Sequence, residues 1–365
     1  MPLRPLPGTG PRAPRPASVG RWLLGRLARA GFASWGIASV VFLLLHLLPV
    51  TNEQLVAGEV SELGRMMGNQ PSRTAALAAW QHRQGLDEPV FYVTRPAGQW
   101  QWHGTRNQYH RWVRQLLSGN LGYSYRTGEA VAAKLAPALV YTLPLMAAAS
   151  VLATAGAIAL ALTLAATSAR GWQLVRTALT AVQAMPLFAL SLALLLLLAN
   201  PDALDVLPAN GLALVGLAPG SAPWLLAYGA HLVLPLLCLV LAALPELVLP
   251  LEAALRQELA AGYTDTARAK GLATRQVFFR HALPNALLPL LPSFTALLPT
   301  LVAGAVVVEV LFALPGTGRL LAEAAATHDY PVVVAGVLLA AAARLLAWLL
   351  ADTLYFWADP RVRNQ

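Results

Sequence analysis

The stretch Tyr263–Leu287, which reads YTDTARAKGLATRQVFFRHALPNAL, decides how the rest of this chain is interpreted. It carries four Lys or Arg residues and a single acid, and both flanking regions are dominated by Leu, Ala and Val. A cationic segment between two apolar runs is typical of a loop that leaves the membrane and lies at its surface. This stretch, called the polar segment below, is therefore the first candidate functional element.

Helix signals divide the polar segment into two parts. Ala260–Lys270 consists largely of good helix formers, and Gly271 stands where a glycine commonly follows the end of a helix. Thr274 can cap a second helix that runs through Phe279, and Pro284 is expected to end it. We therefore expect two short helices joined by a turn at Gly271, too short and too charged to cross a membrane.

Two interpretations of the polar segment follow from these residues. In the first, it is a connector whose arginines meet lipid headgroups. In the second, it is a small rigid helix pair whose sharp turn fits a groove on a soluble partner protein. The composition of the segment leaves both interpretations open.

The overall composition places the chain among multi-pass membrane proteins. Of its 365 residues only 12% are charged, against about 25% in an average soluble domain, and the mean hydropathy is +0.57. The formal net charge is +9, but the cations stand beside apolar runs, which fits membrane topology better than nucleic-acid binding. The single cysteine, Cys238, excludes a disulfide framework and a cysteine metal site.

Six apolar runs are long enough to cross a bilayer core of about 30 Å. The sequence therefore predicts an all-α integral membrane protein with six transmembrane helices, a large external loop between the first two and the polar segment between the fourth and fifth. The expected spans are roughly Gly31–Val50, Ala138–Thr167, Leu174–Ala199, Leu225–Leu249, Leu287–Leu311 and Val332–Ala351.

Five regions follow from these spans. Residues 1–20 are rich in Pro and Arg and are expected to form a disordered tail. Residues 21–50 are assigned to the first transmembrane helix and residues 51–137 to an external loop subdomain. Residues 138–357 form a core of five helices that includes the loop 251–285, and residues 358–365 form the C-terminus.

Arginine and lysine near the span ends predict the orientation. Cations precede the first helix, lie between the second and third and between the fourth and fifth, and follow the sixth, whereas the loop 200–224 has none. The loop after the fifth helix carries only Arg319. This alternation predicts that both termini and the polar segment are cytoplasmic.

Charged residues inside apolar spans are functional candidates by default, because placing a charge in lipid is costly. Glu309 lies toward the outer end of the fifth span, Arg344 inside the sixth and Glu246 inside the fourth. We select Glu309 and Arg344 as pathway or gating candidates. For Arg344 the alternatives are an inter-subunit contact, a structural ion pair or a side chain that extends toward the inner face of the membrane.

Several other chemistries lack their motifs. ATP hydrolysis requires Gly-x4-Gly-Lys-Ser/Thr, and neither of the two lysines, Lys134 and Lys270, stands in that context. The HExxH and GxSxG patterns of hydrolases are absent. His103 and His110 in the external loop lack carboxylates at ligand spacing, which disfavours a metal site. An ion-coupled secondary transporter is the alternative function, but it requires paired midplane charges and usually an inverted repeat, which are not clear here.

The polar segment resembles the EAA loop of permease subunits in binding-protein-dependent ABC importers, through DTARAKG at Asp265–Gly271 and HALP at His281–Pro284. The family pattern is Glu-Ala-Ala, three residues, Gly, nine residues, Ile, one residue, Leu-Pro. Four residues keep this spacing, namely Ala267, Gly271, Leu283 and Pro284. Three positions depart from it, namely Asp265, Thr266 and His281.

Further stretches are similar to the dipeptide, oligopeptide and nickel branch of this family. They include RWLLGRLARAGFASWGIASVVFLLLHLLP near the start, LLSGNLGYSYRTGEAV at the end of the first external loop, and GAVVVEVLFALPGTGRLLAEAAATHDYPVV between the last two spans. The similarity runs in order from roughly Arg21 to Arg363, so it covers nearly the whole chain. The stretch Asn52–His103 follows the family least.

The resemblance implies that the polar segment is a coupling element that enters a cleft on a cytoplasmic ATPase. The residues it assigns to this role are Tyr263, Asp265, Ala267, Arg268, Lys270, Gly271, Arg275, His281, Leu283 and Pro284. The implied partners are a second, homologous permease subunit, two ATPase domains, an external solute-binding protein and the lipid bilayer of a bacterial inner membrane. ATP would be bound by the ATPase partners, and the chain itself would need no cofactor.

Overall fold

The computed structural model of the chain describes residues 17–47, 78, 82, 87–95, 98–166, 170–208 and 221–358. The predicted disordered tail lies outside these ranges up to residue 16. Residues 17–20 are helical, so the first helix begins earlier than predicted and includes the end of that tail. Most of the loop between residues 51 and 86, and residues 359–365, also lie outside the described ranges.

The described residues are mainly helical. Numbered in chain order, the helices are α1 Ala17–Leu47, α2 Gln108–Leu117, α3 Val131–Ala166, α4 Arg170–Ala184, α5 Leu187–Leu198, α6 Ala222–Leu259, α7 Gly262–Ala269, α8 Thr274–Val277, α9 Leu283–Leu287, α10 Leu291–Leu311, α11 Thr317–Ala326 and α12 Tyr330–Ala358. A π-helical turn, Phe278–Ala282, joins α8 to α9, and a 3-10 turn, Leu288–Leu290, joins α9 to α10. Strands β1 (Val93–Thr94) and β2 (Gln101–Trp102) form an antiparallel hairpin.

Four helical stretches of the described chain are long and apolar enough to cross a membrane, namely Val131–Ala166, Leu226–Leu259, Arg275–Leu311 and Tyr330–Leu349. The pair α4 and α5 adds a fifth if it is counted as one bent span. The apolar part of α1, Gly31–Leu43, is shorter. These findings confirm a mainly helical, multi-pass membrane architecture, whereas the count of six spans stays a prediction.

The core is organised around α3 and α6, which pack against each other along much of their length. One face of α3 carries a stripe of alanines four residues apart, Ala149, Ala153, Ala157 and Ala161, each at most 2% exposed. Small side chains at this spacing let two helix backbones approach closely. The thiol of Cys238 on α6 is fully buried in the same core.

The predicted third span, Leu174–Ala199, is not one continuous helix. α4 ends at Ala184, α5 begins at Leu187, and their axes are bent by 116°. Pro186 lies at the break with a ψ of 140°, which is extended rather than helical. Proline lacks a backbone N–H and its ring clashes with the carbonyl four residues earlier, so it interrupts a helix interior. The span therefore consists of two helices that meet at Pro186.

The described part of the external loop packs against α1 through aromatic side chains. The rings of Phe42 and Trp112 stack with centroids 4.9 Å apart, and Tyr109 contacts Phe42 edge-on at 5.7 Å. His103 and His110 each bond to a neighbouring hydroxyl, at 2.7 and 3.0 Å. No three His, Cys, Asp or Glu side chains of the described residues lie close enough together to hold a metal ion.

Candidate functional site

The turn of the polar segment has the geometry that its glycine predicts. α7 ends with Lys270 at the C-cap position, and Gly271 follows with a φ of +79°. The Gly271 N–H donates to the Arg268 carbonyl at 2.9 Å, and the Leu272 N–H donates to the Ala267 carbonyl at 3.3 Å. A left-handed residue at this position commonly ends a helix, and glycine adopts it without the strain that a side chain causes.

One face of α7 is anchored in the protein and the other is exposed. Thr264 is fully buried, and its hydroxyl donates to the carbonyls of Leu259 and Ala261, at 3.0 and 2.7 Å. Ala267, one turn later, is 8% exposed. Asp265 and Arg268 lie on the opposite, exposed face and form an ion pair at 3.5 Å. The helix therefore presents charge outward from a fixed base.

Tyr263 joins the two ends of the polar segment. Its hydroxyl donates to Glu258 Oε2 at 2.5 Å and accepts a hydrogen bond from Asn285 Nδ2 at 3.2 Å. Desolvation, together with the adjacent Glu258 carboxylate, raises the pKa of Tyr263 above its ordinary value. The hydroxyl therefore stays protonated as a donor at physiological pH. Because Glu258 precedes α7 and Asn285 lies in α9, Tyr263 holds the segment closed at its base.

The second half of the polar segment differs from the prediction. Pro284 does not end a helix, because α8, the π-helical turn, α9 and α10 continue as one helical stretch into the next span. The Leu283 N–H bonds to the Phe278 carbonyl five residues earlier, and the wider turn brings Pro284 into the first turn of α9. A proline is tolerated there because its missing N–H has no helical partner.

The residues assigned to coupling from the sequence lie on one connected element, with different exposures. The exposed ones are Tyr263, Asp265, Arg268, Lys270, Gly271, Arg275 and Pro284. Ala267 is buried, and His281 and Leu283 are half-buried. Arg275 lies over the Phe279 ring at 5.8 Å. Within the described residues neither Lys270 nor Arg275 has an acidic partner, so both cations are available to a group outside this part of the chain.

A buried ion cluster beside the polar segment was missed from the sequence. The Glu252 carboxylate on α6 accepts from Arg176 on α4 at 2.6 Å and from Arg256 at 2.7 Å. Both guanidiniums also donate to the Leu164 carbonyl at the end of α3, at 3.2 and 2.9 Å. Glu252 is 6% exposed. The cluster joins three helices one to two turns before α6 ends.

The spacing of Glu252 and Arg256 was the available sequence signal, because side chains four residues apart on a helix are neighbours. In the sequence, Arg176 and Arg256 indicate only the topology of the chain. Nothing in the local sequence places Arg176 beside them, since α4 and α6 are brought together by tertiary packing.

Glu309 is buried at a junction of three elements. It is 1% exposed, and its carboxylate accepts from the Thr142 hydroxyl and the Gly318 N–H, both at 2.6 Å. The Thr142 hydroxyl in turn accepts from the Thr317 N–H at 2.8 Å. The carboxylate thus lies at the N-terminus of α11, where free N–H groups and the helix dipole favour a negative charge. Gly316 makes room for it, because a Cβ there would lie 2.2 Å from the carboxyl carbon.

Arg344 lies exposed on α12, and its guanidinium stacks over the Trp348 ring at 5.2 Å. The structure does not bring Arg344 together with Glu309, the other pathway candidate. Within the described chain no carboxylate pairs with Arg344. The side chain of His231, which received no role from the sequence, bonds to the Ala227 carbonyl at 2.7 Å.

A further buried carboxylate connects the external loop to the start of α12. Asp329 accepts from the Ser124 hydroxyl at 2.5 Å and from the Tyr125 N–H at 2.9 Å. Lys134 on α3 donates to the same Ser124 oxygen at 3.2 Å. Desolvation, with the Asp329 charge as a second cause, raises the pKa of Tyr125 to about 12. This contact, called the Asp329 contact below, lies at the opposite end of α10 from the polar segment.

Together these features define a multi-pass helical membrane protein with an exposed, rigidly based helix–turn element between two of its spans. Residues 157–364, more than half of the chain, match the family described as "Binding-protein-dependent transport system inner membrane component". The chain belongs to this family.

Relatives of the chain carry names of the same kind. It is 33% identical over 347 residues to the di/tripeptide transport system permease protein of Pseudomonas aeruginosa, covering 91% of this chain and 95% of that protein. It is 32% identical to the dipeptide transport system permease protein of Escherichia coli, covering 90% and 95%. The oligopeptide transport system permease protein AppB of Bacillus subtilis is 39% identical over 132 residues, covering 36% and 42%.

Proposed function

We propose that the chain forms half of the transmembrane pathway of an ATP-driven importer for short peptides or related solutes. Family membership supports the transport role. The relatives named above, which are similar over nearly their full length, are permease proteins of dipeptide, di/tripeptide and oligopeptide systems. The observation that carries the proposal is the polar segment, an exposed cationic helix pair whose base is fixed by Thr264 and Tyr263.

The polar segment is the element through which ATP hydrolysis would move the membrane helices. A rigid element is required, because a flexible loop would absorb the displacement. α7 is short and ends in the tight Gly271 turn, and α8 continues without a break into the span Arg275–Leu311. A force on the turn therefore acts directly on that span, and through Tyr263 and Glu258 on α6.

The charge of the segment suits an acidic cleft on the ATPase. Arg268, Lys270 and Arg275 are exposed, and Arg268 is paired only with the exposed Asp265. Guanidinium and ammonium groups bind carboxylates by charge-assisted hydrogen bonds. ATP is bound by the ATPase subunits in this proposal.

The complete importer contains two permease chains, two cytoplasmic ATPase domains and an external solute-binding protein. In this arrangement α1 supplies the sixth span, both termini are cytoplasmic, and the chain lies in a bacterial inner membrane. The Asp329 contact and the aromatic cluster of Phe42, Tyr109 and Trp112 face outward, toward the binding protein.

The test is uptake by the assembled importer with variants of the turn. Gly271→Asp and Arg268→Glu should abolish ATP-dependent peptide uptake while the amount of chain in the membrane stays unchanged. Asp202→Lys, which reverses an exposed charge in the loop after α5, is the matched control and should transport normally. Normal uptake by both turn variants, or uptake driven by an ion gradient without ATP, would contradict the proposal.

A further inference from the structure

Two charged side chains within the membrane spans take no part in the ion pairs described above. Glu246 lies near the middle of the span Leu226–Leu259, and Arg344 lies within the span Tyr330–Leu349. Both side chains are exposed on the single chain, and among the described residues neither has an ion-pair partner. Charged groups at this depth are rare and usually mark the path of a solute or an ion.

Glu246 lines an open cavity of about 300 Å³ between three elements. α6 contributes Glu246 and Ala242 from one face, and α10 contributes Thr300 and Val307. The region where α4 meets α5 contributes Gln183. The remaining wall is largely aliphatic, so the Glu246 carboxylate is the principal charged group that a solute would meet there.

The break between α4 and α5 supplies a second, independent observation. Met185 and Leu187, on either side of Pro186, line the cavity that contains Glu246. Irregular backbone at membrane depth is tolerated where it is buried in protein or lines a water-filled cavity, and broken helices form solute sites in other transporter folds. Backbone groups that are left without helical partners at this break therefore lie beside the cavity, where they could form hydrogen bonds to a polar solute.

Arg344 lines a second cavity, of about 480 Å³, between α12 and α10. Trp348 lies against one face of its guanidinium. A stacked arginine still directs its N–H donors outward in the plane of the guanidinium, in the fork geometry that matches a carboxylate. Thr295 and Thr300 line the same cavity. Their hydroxyls donate to backbone carbonyls one turn earlier, which leaves oxygen lone pairs as acceptors.

Thr300 lines both cavities. The wall of α10 residues that line one cavity or the other extends from Pro292 to Val307, about 22 Å at a rise of about 1.5 Å per residue. An extended peptide covers about 3.5 Å per residue. The wall is therefore long enough for a peptide of a few residues, with a negative group in one cavity and a positive group in the other.

We propose that Glu246 and Arg344 are the two poles of a solute site within the membrane. Glu246 binds the ammonium group of a short zwitterionic peptide, and Arg344 binds its carboxylate. The aliphatic walls accept side chains of different sizes, so the site selects the peptide ends. This inference rests on the proposed function as a peptide importer, and it names the group that each pole recognises.

The experiment uses the complete importer in proteoliposomes, with its binding protein outside and ATP inside, and radiolabelled dialanine as the probe. Glu246→Gln and Arg344→Gln should each lower dialanine uptake by about tenfold or more, because each removes a charge-assisted hydrogen bond. Arg344→Lys should restore a large part of the uptake. Stimulation of ATP hydrolysis by the loaded binding protein should stay within about twofold of wild type. Asp202→Asn and Arg29→Gln, at exposed positions that line neither cavity, are the matched controls.

Four outcomes would overturn the inference. Wild-type uptake by Glu246→Gln or Arg344→Gln would show that the removed charge does not bind the solute. This holds also if Arg344→Gln releases an anionic lipid, because Arg344 would then bind the lipid and not the peptide. Loss of ATPase stimulation together with uptake would indicate a structural or gating role. A reduced yield of assembled complex would indicate a contact with the second permease chain. If the wild-type importer carries another solute and no dialanine, the proposed peptide function itself fails. If the wild-type importer carries dialanine and the variants do so equally well, only the assignment of Glu246 and Arg344 fails.

Discussion

Single buried carboxylates determine how several elements of this protein meet. Glu309 belongs to α10, yet its oxygens accept from Thr142 on α3 and from the N-terminus of α11. Gly318 is needed beside it, because a Cβ at that position would lie 2.4 Å from the Val306 Cα. A negative charge in lipid would be costly, and here it is stabilised by the Thr142 hydroxyl and the Gly318 N–H.

Glu309→Ala should destabilise the protein by about 1–3 kcal/mol, because the Thr142 hydroxyl and the Gly318 N–H would lose their acceptor in a buried position. The measurement is thermal unfolding of the purified importer in detergent. Glu323→Ala is the matched control, since Glu323 is exposed on α11 and its ion-pair partner among the described residues is the partly exposed Arg319. Equal midpoints for the two variants would contradict the capping role.

At the scale of elements, the apolar runs predicted where helices lie, because a membrane span must satisfy all of its backbone groups internally. The Gly271 turn was also predictable, since local backbone geometry decides it. Two proline positions show the limit. Pro186 lies at a break between two helices, whereas Pro284 lies within a continuous helical stretch, directly after a π-helical turn. That turn has no local sequence signature.

The Glu252 cluster illustrates why part of the candidate site was not predictable. Its members stand far apart in the sequence, and only the packing of α4 against α6 brings Arg176 to Glu252. The positive charges near span ends predicted which side they occupy, but they did not predict which acid they pair with. The same holds for Asp329 and Ser124, which are 205 residues apart.

Glu252→Ala should loosen the junction of α3, α4 and α6 and lower stability by about 1–3 kcal/mol. This is below the roughly 3–5 kcal/mol of a fully buried pair, because Arg176 and Arg256 are partly exposed to solvent. Chemical denaturation or thermal unfolding of the purified importer measures the loss. Glu129→Ala, at an exposed external position, should leave stability unchanged. An unaltered midpoint in Glu252→Ala would show that the cluster is not a structural joint.

At the scale of the whole molecule, the described chain has one tied region at each end of α10. The Asp329 contact joins the loop before α3 to α12, the Tyr263 contact joins the polar segment to α6, and the Glu252 cluster joins α6 to α3 and α4. The close packing of α3 on α6 connects these ends. In the proposed importer, such a body would transmit displacement between the binding protein and the ATPase.

The purified chain alone should hydrolyse no ATP, because its sequence lacks the phosphate-binding loop. Addition of the ATPase subunits should produce hydrolysis that the loaded binding protein stimulates. A phosphate-release assay with and without each partner measures both rates. The control is the ATPase pair without this chain, which should not respond to the binding protein. Robust hydrolysis by the chain alone would contradict its assignment as a membrane subunit.

The burial of Cys238 has a practical consequence for spectroscopy. The sequence contains this one thiol, and it is sealed between packed helices, where maleimide and methanethiosulfonate reagents cannot reach it. The wild-type chain is thus a ready background for site-directed spin or fluorophore labelling. In the proposed topology, cysteines introduced at Lys270 and Arg126 would carry probes on opposite faces of the bilayer. Distances measured between those probes through a transport cycle would record how far the two faces shift.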